Sequence, residues 1–315
     1  MSAPAPGRSS FRRDRIRTLA LEDLPSLRLD PFTDVRAMAA TLRAYPGRSV
    51  WNPDTLEYVL VSPWRHRPEI ANVQSVSAGR HAAELILGAS SRCADAGDDL
   101  LLLIDLDERR PSGFYARAGL ERLEGVITYE LKREQAAAHA DYRLAYVHAD
   151  PANPAHLDAL LRLDHAAFPW LWWNSAEEFH AYAATPGVDL FLGLEDGNPV
   201  SYVGFTTFLG WGHLDRIAVA PAVQQRGLGR DALAFVTASL FGRRAQRIGL
   251  STQQENLRSR RLYEGFGFRR SSIHDYTLYG ARLQSPTAAA EDTSTLNDAG
   301  SPEGRALSAG GPHGQ

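Results

Sequence analysis

The residues best suited to chemistry lie where an apolar strand runs into a glycine-bearing turn that opens a helix. The segment contains Ile217, Ala218 and Val219, and then Gln224, Gln225, Arg226, Gly227, Leu228, Gly229 and Arg230. The start of a helix presents unpaired backbone N–H groups and the positive end of its dipole, and residues without a Cβ atom let those groups approach phosphate oxygens closely. We therefore predict a pyrophosphate site here, to which Arg226 and Arg230 add positive charge.

Two fragments of the sequence resemble parts of a known superfamily. Residues 224–229 are spaced as Gln-x-x-Gly-x-Gly, which resembles the acetyl-coenzyme A loop of the GNAT acyltransferases. Residues 256–268 are similar to the Asn…Leu-Tyr-x-x-x-Gly-Phe segment of the same superfamily, with Tyr263 as the tyrosine. Because both fragments occur in the expected order and at the expected distance, the resemblance extends over residues 142–283 as a complete domain.

The resemblance implies an N-acyltransferase that moves an acetyl group from acetyl-CoA directly to a primary amine in a ternary complex, without a metal. It also implies that strand 217–219 parts from its neighbour, so that its backbone holds the pantetheine arm and an N–H near Val219 donates to the thioester oxygen. Tyr263 is then the candidate general acid for the departing thiolate, and Asn256 a partner of the pantetheine. The alternatives are a Tyr263 ring packed on a helix face and an Asn256 that caps a helix.

His213 and Asp215 are the candidates for the general base. Alkyl amines are mostly protonated near neutral pH, so a group that accepts a proton, often through water, assists the attack. Many members of the family carry a Glu where this chain has His213, and some carry it on the following strand, where this chain has Ser251. Strand alternation predicts that His213 and Asp215 lie on the same side as Ile217 and Val219. A surface histidine at a strand end is the alternative.

An aromatic segment between two predicted helices is the candidate acceptor site. It contains Phe168, Trp170 and Trp173, and the corresponding region lines the acceptor cleft in the family. Phe168-Pro169-Trp170 also resembles a loop of the ribosomal-protein alanine acetyltransferases. The acceptor is accordingly expected to be a small-molecule amine or a protein N-terminus. Packing of this segment against the sheet or against the rest of the chain is the alternative.

Composition excludes several classes of partner. The formal net charge of −3 gives no reason to expect binding to nucleic acid or to an anionic membrane, both of which require basic surfaces. Cys93 is the single cysteine, which excludes an intrachain disulfide and a multi-cysteine metal site. The first residues lack the apolar centre of a signal peptide, and no run approaches the ~18 apolar residues of a membrane span. We expect a cytoplasmic protein.

The chain has 315 residues, which exceeds the usual size of one domain and predicts two. The fold class expected from the resemblance is α+β, with two tandem GNAT-like domains, each a mixed and mostly antiparallel sheet flanked by helices. The predicted division is a disordered start (1–15), a degenerate GNAT-like domain (16–131), a linker (132–141), a catalytic GNAT domain (142–283) and a disordered tail (284–315).

An internal repeat supports the predicted degenerate GNAT-like domain (16–131). At an offset of 148 residues, the segment around Tyr115 falls on the segment around Tyr263. The same offset places Gly79 on Gly227 but His81 on Gly229, so the glycine pattern of the coenzyme loop is missing from the first half. We therefore expect that Tyr115 has a structural role.

Two other functions compete with an acyltransferase. Gly227 to Ala232 also fits a Gly-x-Gly-x-x-Ala dinucleotide fingerprint, but that motif opens a long alternating α/β unit and too few residues follow here. The second is a non-catalytic acyl-CoA-binding sensor or interaction protein. The absence of an obvious Glu base favours the sensor, whereas the presence of Tyr263 favours catalysis.

Overall fold

The computed structural model of the chain describes residues 11–283 apart from residues 30, 32, 78, 107–109, 112 and 136–141. The predicted tail 284–315, residues 1–10 and most of the predicted linker lie outside the described residues. The predicted disordered start ends earlier than residue 15. Arg13–Arg15 form a 3-10 helix, and the Phe11 ring stacks on His81 with 4.1 Å between ring centroids.

The first half of the chain alternates strands with helices on a single sheet. Its strands are β1 (Arg17–Thr18), β2 (Val50–Asn52), β3 (Glu57–Trp64), β4 (Arg67–Val76), β5 (Leu100–Asp105) and β6 (Glu121–Lys132). Its helices are α1 (Val35–Ala44), α2 (Ala82–Asp95) and α3 (Phe114–Arg117).

The second half has the same arrangement with one additional α-helix between its first two strands. Its strands are β7 (Ala145–His148), β8 (Val188–Glu195), β9 (Asn198–Phe208), β10 (Trp211–Val219), β11 (Arg247–Gln253) and β12 (Arg269–Arg282). Its helices are α4 (Pro154–Ala167), α5 (Ala176–Ala183), α6 (Leu228–Gly242) and α7 (Leu257–Phe266). The side chains of Asn153 and Ser175 cap α4 and α5 by accepting backbone N–H groups of the first turn.

All the described strands join one twelve-stranded sheet in the order β1-β2-β3-β4-β5-β12-β6-β11-β10-β9-β8-β7. Within it, β4 runs parallel to β5 and β10 runs parallel to β11, and the other neighbouring strands are antiparallel. The expected α+β class, with a mixed and mostly antiparallel sheet flanked by helices, is confirmed.

The last strand of each half lies within the other half. β12 lies between β5 and β6, and β6 lies between β12 and β11. Each half therefore fills a gap between two strands of the other half. The predicted segments 16–131 and 142–283 are consecutive in the sequence. In the structure, however, strands of one segment form hydrogen bonds with strands of the other.

Helices pack on both faces of the second half of the sheet. Val203 and Phe205 of β9 pack with α6 and α7, whereas Tyr202 of the same strand packs with α4 and α5. This alternation is the ordinary period of a strand buried on both faces. It places α6, which follows the predicted phosphate turn, and α5, which borders the predicted acceptor region, on opposite sides of β10.

Candidate active site

The predicted pyrophosphate turn connects β10 to α6 as expected. Gln225 and Gly227 have φ of 64° and 84°, and Gly227 is the residue that caps α6. A left-handed conformation at the cap turns the chain sharply into the helix, which glycine adopts without steric cost. Gly229 has a different role, because a Cβ atom there would lie 3.0 Å from Cδ2 of Leu262 on α7. Gly229 therefore lets α6 and α7 pack closely beside the turn.

β10 parts from β11 next to this turn. The two strands are paired from Trp211 to Leu214 on β10, and β10 then continues to Val219 paired with β9 alone. The predicted parting of strand 217–219 is thus present in the structure. The consequence is that the edge of Ile217 to Val219 facing β11 opens to a groove instead of to a strand.

A bulge at Asp215 accompanies the parting. Leu214 pairs with Phe205 and Arg216 pairs with Gly204, so Asp215 has no partner on β9. A one-residue insertion reverses the faces of a strand, and Leu214 accordingly packs with α6 whereas Ala218 packs with α4. The expectation that His213 and Asp215 lie on the same side as Ile217 and Val219 is therefore wrong.

A groove of about 560 Å³ follows the opened edge of β10 to the start of α6. Most of the predicted coenzyme-binding residues line it, namely Ile217, Ala218, Val219, Gln224, Gln225, Gly227, Gly229, Arg230 and Asn256. Leu228 is instead buried as the first residue of α6. The Gln224 side chain donates to the Val219 carbonyl oxygen at 2.9 Å, which fixes the turn against the strand end.

The arginines around the turn differ in what they contact. The Arg226 guanidinium pairs with Glu195 of β8, with nitrogen–oxygen distances of 2.8 and 3.1 Å. Arg230 lines the groove, donates to the Gly265 carbonyl oxygen at 3.2 Å and lies over the Phe266 ring. Arg258 also lines the groove and donates to the Gln224 side chain. Positive charge at the groove thus comes from Arg230 and Arg258 more directly than from Arg226.

Asn256 has the capping role that was the alternative for it. Its Oδ1 accepts the N–H of Ser259 at 3.1 Å at the start of α7, and its Nδ2 lies 3.4 Å from Oε1 of Gln253. The residue nevertheless lines the groove. A cap at this place positions the first turn of α7, which carries Tyr263 one turn later.

Tyr263 lines the groove and also a second cleft of about 300 Å³ beyond it. Its ring packs between Tyr129 and Phe268, with 6.1 Å between centroids in each case. Burial raises the pKa of the Tyr263 phenol to about 12. The hydroxyl therefore keeps its proton at neutral pH, and the residue lies where the two cavities meet.

His213 and Asp215 lie together in the second cleft. Nδ1 of His213 is 2.6 Å from Oδ1 of Asp215, and the other carboxylate oxygen accepts from Tyr182 and Thr206 at 2.7 and 2.6 Å. A carboxylate only accepts, so Nδ1 of the ring carries hydrogen and Nε2 presents a lone pair when the ring is neutral. Within the described residues Nε2 has no hydrogen-bond partner. Ser251 lines the same cleft.

Comparison with known proteins bears on the family and the fold. The model of the acetyltransferase (GNAT) family matches residues 156–268. This part of the chain therefore resembles a GNAT domain. No curated protein sequence matches the chain.

Solved structures show the same fold over most of the chain. A GCN5-related N-acetyltransferase from Sphaerobacter thermophilus is 14% identical with a TM-score of 0.55, covering 85% of this chain and 95% of that one. A tandem GNAT protein from the clavulanic acid biosynthesis pathway is 13% identical with a TM-score of 0.54, covering 85% and 98%. A probable N-acyltransferase from Enterococcus faecalis V583 is 13% identical with a TM-score of 0.59, covering 87% and 73%.

The aromatic segment of the GNAT domain reaches the clefts at Phe168, which lines both. Trp170 and Trp173 do not line either cleft. The Trp170 ring lies under the Arg67 guanidinium, and Trp173 stacks on His165 and donates to the Phe168 carbonyl oxygen. Both residues thus have the packing role that was the alternative for this segment.

Trp172 is an aromatic of the cleft that the sequence interpretation missed. It lines the second cleft and donates from Nε1 to Glu124 of β6 at 2.6 Å. Because Glu124 belongs to the first half of the chain, no local pattern around residue 172 could have indicated this contact.

A buried ion pair fixes the aromatic segment to β10. Arg216 donates to Asp164 of α4 and, at 3.0 Å, to the Trp172 carbonyl oxygen. Asp164 also accepts the N–H of Asn174 at 2.9 Å, and the Phe168 ring lies 3.8 Å from the Arg216 guanidinium carbon. Both charges are buried, and such a pair is tolerated where each group is also hydrogen-bonded. The network therefore positions the wall of the second cleft.

In the first half of the chain, the turn before α2 corresponds to the predicted phosphate turn before α6. A side chain of the chain itself fills the space at the start of α2. Oε1 of Glu57 accepts the N–H of Arg80 at 3.0 Å, and Oε2 pairs with His81 at 2.7 Å before the start of α2. A Cβ atom on Gly79 would lie 1.8 Å from Oε1 of Glu57. A carboxylate of the chain thus occupies the position at the helix start where an anion would bind.

Tyr115 of the first half also has internal partners. Its hydroxyl donates to Asp105 at 2.5 Å, and its ring stacks on Tyr279 of β12 at 3.6 Å between centroids. Burial and the neighbouring Asp105 raise the pKa of Tyr115. These contacts agree with the structural role expected for it.

Two features are absent from the described residues. Among them, no group of three or more His, Cys, Asp or Glu side chains is arranged to hold a metal ion. No helix formed by those residues has the length and apolar character required to cross a bilayer.

Proposed function

We propose that the protein is an N-acyltransferase that moves an acetyl group from acetyl-CoA to a primary amine by direct transfer in a ternary complex. The observation that carries this proposal is the parting of β10 from β11 beside the start of α6, with Tyr263 at the junction of the two resulting cavities. An elongated thioester substrate and an amine require two such cavities that meet at one proton donor.

The groove supplies the groups needed to hold acetyl-CoA. The first N–H groups of α6 and the N–H groups of residues 225–227 would bind the pyrophosphate, with Arg230 and Arg258 beside them. The unpaired edge of β10 at residues 217–219 would bind the amide groups of the pantetheine. An N–H near Val219 would stabilise the charge that develops on the thioester oxygen.

The second cleft supplies the proton chemistry. The amine nitrogen attacks the thioester carbonyl carbon and loses a proton to Nε2 of His213, directly or through water. The carbon–sulfur bond then breaks, the sulfur takes the proton of the Tyr263 hydroxyl, and the Tyr263 phenolate regains a proton, through water, from the His213 imidazolium. Asp215 holds the His213 ring and stabilises the imidazolium that forms. The products are an amide and free coenzyme thiol.

The acceptor is a small-molecule amine or a protein N-terminus. The second cleft has a volume of about 300 Å³ and continues past His213 and Ser251 into a neighbouring hollow of about 310 Å³. That hollow is bordered by Phe208 and Trp211, which are 68% and 43% exposed. The space accommodates an acceptor longer than its reacting amine.

Titration calorimetry with acetyl-CoA, followed by a thiol-release assay over a panel of amines, tests the proposal. We expect binding by the wild type and by Tyr263→Phe and His213→Ala. Turnover should fall about 10- to 100-fold in Tyr263→Phe and about 100-fold or more in His213→Ala, because each removes one proton transfer. Absence of binding would disprove the proposal. Tight binding without turnover of any amine would favour the non-catalytic acyl-CoA sensor.

A further inference from the structure

The hairpin between β3 and β4 extends from the first half of the chain to the second cleft of the GNAT domain. Its two turn residues, Arg65 and His66, have φ of 52° and 53°. Trp64 and Arg67 pair across them, as in a tight two-residue hairpin turn. Residues other than glycine keep a left-handed conformation where surrounding contacts hold them in it.

Contacts with the GNAT domain surround this turn. Trp64 donates from Nε1 to the Leu171 carbonyl oxygen at 2.7 Å. Nδ1 of His66 lies 2.7 Å from Oε2 of Glu178 on α5. Arg67 donates to the carbonyl oxygen of Trp170, and its guanidinium lies over the ring of the same residue. The turn is thus fixed against the aromatic segment and α5, and Arg65 enters the cleft between them.

Arg65 lines the same cleft as His213, Asp215 and Tyr263. Its guanidinium lies 5.2 Å from the Trp64 ring centroid and 5.4 Å from that of Trp172, and it donates to Oδ1 of Asn174 at 2.7 Å. Its Nε is buried and has no hydrogen-bond partner among the described residues. A guanidinium has five N–H donors, so most of the hydrogen-bond donors of Arg65 are not used by the described residues.

The nearby carboxylates are bonded to other groups. Asp164 is bonded to Arg216 and Tyr202, and Glu178 is bonded to His66. Burial, together with the positive charge of Arg216, lowers the pKa of Arg65 to about 10. The side chain is therefore still a cation at neutral pH, and the two carboxylates whose charge favours it, Glu178 and Asp164, each bind another group as well.

We propose that Arg65 binds a carboxylate of the acceptor, so that the acceptor is a small amino acid-like molecule with an amine and a carboxylate. The proposal rests on the acyltransferase function proposed above. Arginine is suited to this role because its planar donors match the two oxygens of a carboxylate. The carboxylate would satisfy the buried Nε and compensate the charge of Arg65, and the amine would then face His213.

A matched panel of acceptors tests this inference. Each L-amino acid is compared with its carboxamide in the thiol-release assay, together with peptides whose first residue is Asp or Glu. The wild type is expected to have a kcat/KM about 10- to 100-fold higher for the amino acids than for their carboxamides, because a charge-assisted hydrogen bond is lost in the amides. In Arg65→Gln this preference should fall to within about threefold, mainly through KM.

Three controls separate binding from folding. Arg65→Lys keeps the charge and should retain part of the preference. Arg43→Gln removes an exposed arginine of α1 in the same half and should leave the preference unchanged. The affinity for acetyl-CoA should be the same in Arg65→Gln as in the wild type, because Arg65 does not line the coenzyme groove, and a single cooperative thermal unfolding transition should show that the variant folds.

Four results would overturn the inference. The first is equal turnover of amino acids and carboxamides by the wild type, and the second is an undiminished preference in Arg65→Gln. The third is acetyl-CoA binding without acetylation of any amino acid or acidic peptide. The fourth is the absence of acetyl-CoA binding to the wild type. This result would also reject the proposed acyltransferase function, whereas the first three would reject only the inference about Arg65.

Discussion

His213 is positioned by residues that are distant from it in the sequence. Asp215 lies two residues away on β10, but its carboxylate is held by Tyr182 of α5 and Thr206 of β9. These donors occupy Oδ2 and leave Oδ1 for the ring of His213. The ring also requires the absence of a side chain at Gly249, where a Cβ atom would lie 3.2 Å from its Cδ2. The arrangement can therefore fix both the tautomer and the direction of Nε2.

Asp215→Asn tests whether this orientation contributes to catalysis. Asn has one acceptor oxygen in place of two, so it cannot accept from Tyr182, Thr206 and His213 in the same way. We expect turnover to fall by about 100-fold or more, because the ring loses its fixed tautomer and the partner that stabilises its imidazolium. The measurement is kcat in the thiol-release assay, with acetyl-CoA affinity as the check on folding.

Thr206→Val is the matched control for Asp215→Asn. It removes one donor to Asp215 and leaves the carboxylate in place. Turnover should fall by less than about tenfold, since Tyr182 still holds the same oxygen. If Thr206→Val and Asp215→Asn lower kcat equally, the loss does not come from the carboxylate and the orienting role is refuted.

At the level of single residues, the sequence predicted the lining of the groove beside α6 better than the lining of the second cleft. Gln224 and Gly227 were found because a backbone turn needs particular residues at fixed spacing. Trp170 and Trp173 belong to an aromatic segment that corresponds to the acceptor region of the family, but that pattern does not indicate which ring faces the cleft. Arg65 was not identified at all, since it comes from a hairpin more than a hundred residues away from the segment that it contacts.

At the level of elements, the two glycines of the coenzyme turn are required for different reasons. Gly227 has a left-handed backbone at the start of α6, with nothing closer than 3.7 Å to an added Cβ atom. Gly229 has an ordinary backbone but lies against Leu262 of α7. One glycine therefore permits the turn, and the other permits the approach of two helices.

Gly227→Ala and Gly242→Ala form a matched pair that isolates the backbone effect. Ala at residue 227 must adopt a left-handed conformation, which we expect to lower the free energy of unfolding by about 1–2 kcal/mol. It should also weaken acetyl-CoA binding, because the N–H groups of the turn shift.

Gly242 ends α6 with ordinary backbone angles and open space around it. Ala there should leave the stability unchanged or raise it by about 0.4–1 kcal/mol. Denaturant unfolding of both variants checks the pair. Equal stabilities of the two variants would contradict the assigned role of Gly227.

At the level of the whole molecule, the two halves share one sheet through exchanged strands. β6 pairs with β11 along seven residues, from Gln253 to Arg247, and also pairs with β12. Without β6, the facing edges of β11 and β12 would each lose their partner. Unpaired strand edges are unstable in water and prone to association. The second half alone is therefore an incomplete sheet, although it contains all of the family match.

Residues 142–283 expressed alone should fail to fold as a stable monomer. We expect either aggregation or the absence of a cooperative unfolding transition, because the gap between β11 and β12 is filled by β6 of the other segment. Co-expression of residues 1–135 with residues 142–315 should restore a one-to-one complex that binds acetyl-CoA. Size-exclusion chromatography and thermal unfolding measure both outcomes. A monomeric, cooperatively unfolding fragment 142–283 would show that the exchange is dispensable.

The sequence by itself determined the glycine turn before α6, the helices and strands around it, and the internal repeat. These features depend on residues close together in the chain, through turn geometry, capping and the period of apolar side chains. The repeat at 148 residues also places β6 on β12, since residue 121 falls on residue 269.

Only the tertiary structure decided which strands are neighbours and which side chains meet. The exchange of β6 and β12, the bulge at Asp215 and the entry of Arg65 into the second cleft all depend on contacts between distant segments. A bulge adds one residue without changing the local pattern of residue types, so that pattern does not reveal it. A strand can pair with either half if its apolar faces match, so its own residues do not specify its neighbours. The residue types proposed to react are thus local in the sequence, but their arrangement around one cleft is a property of the whole sheet.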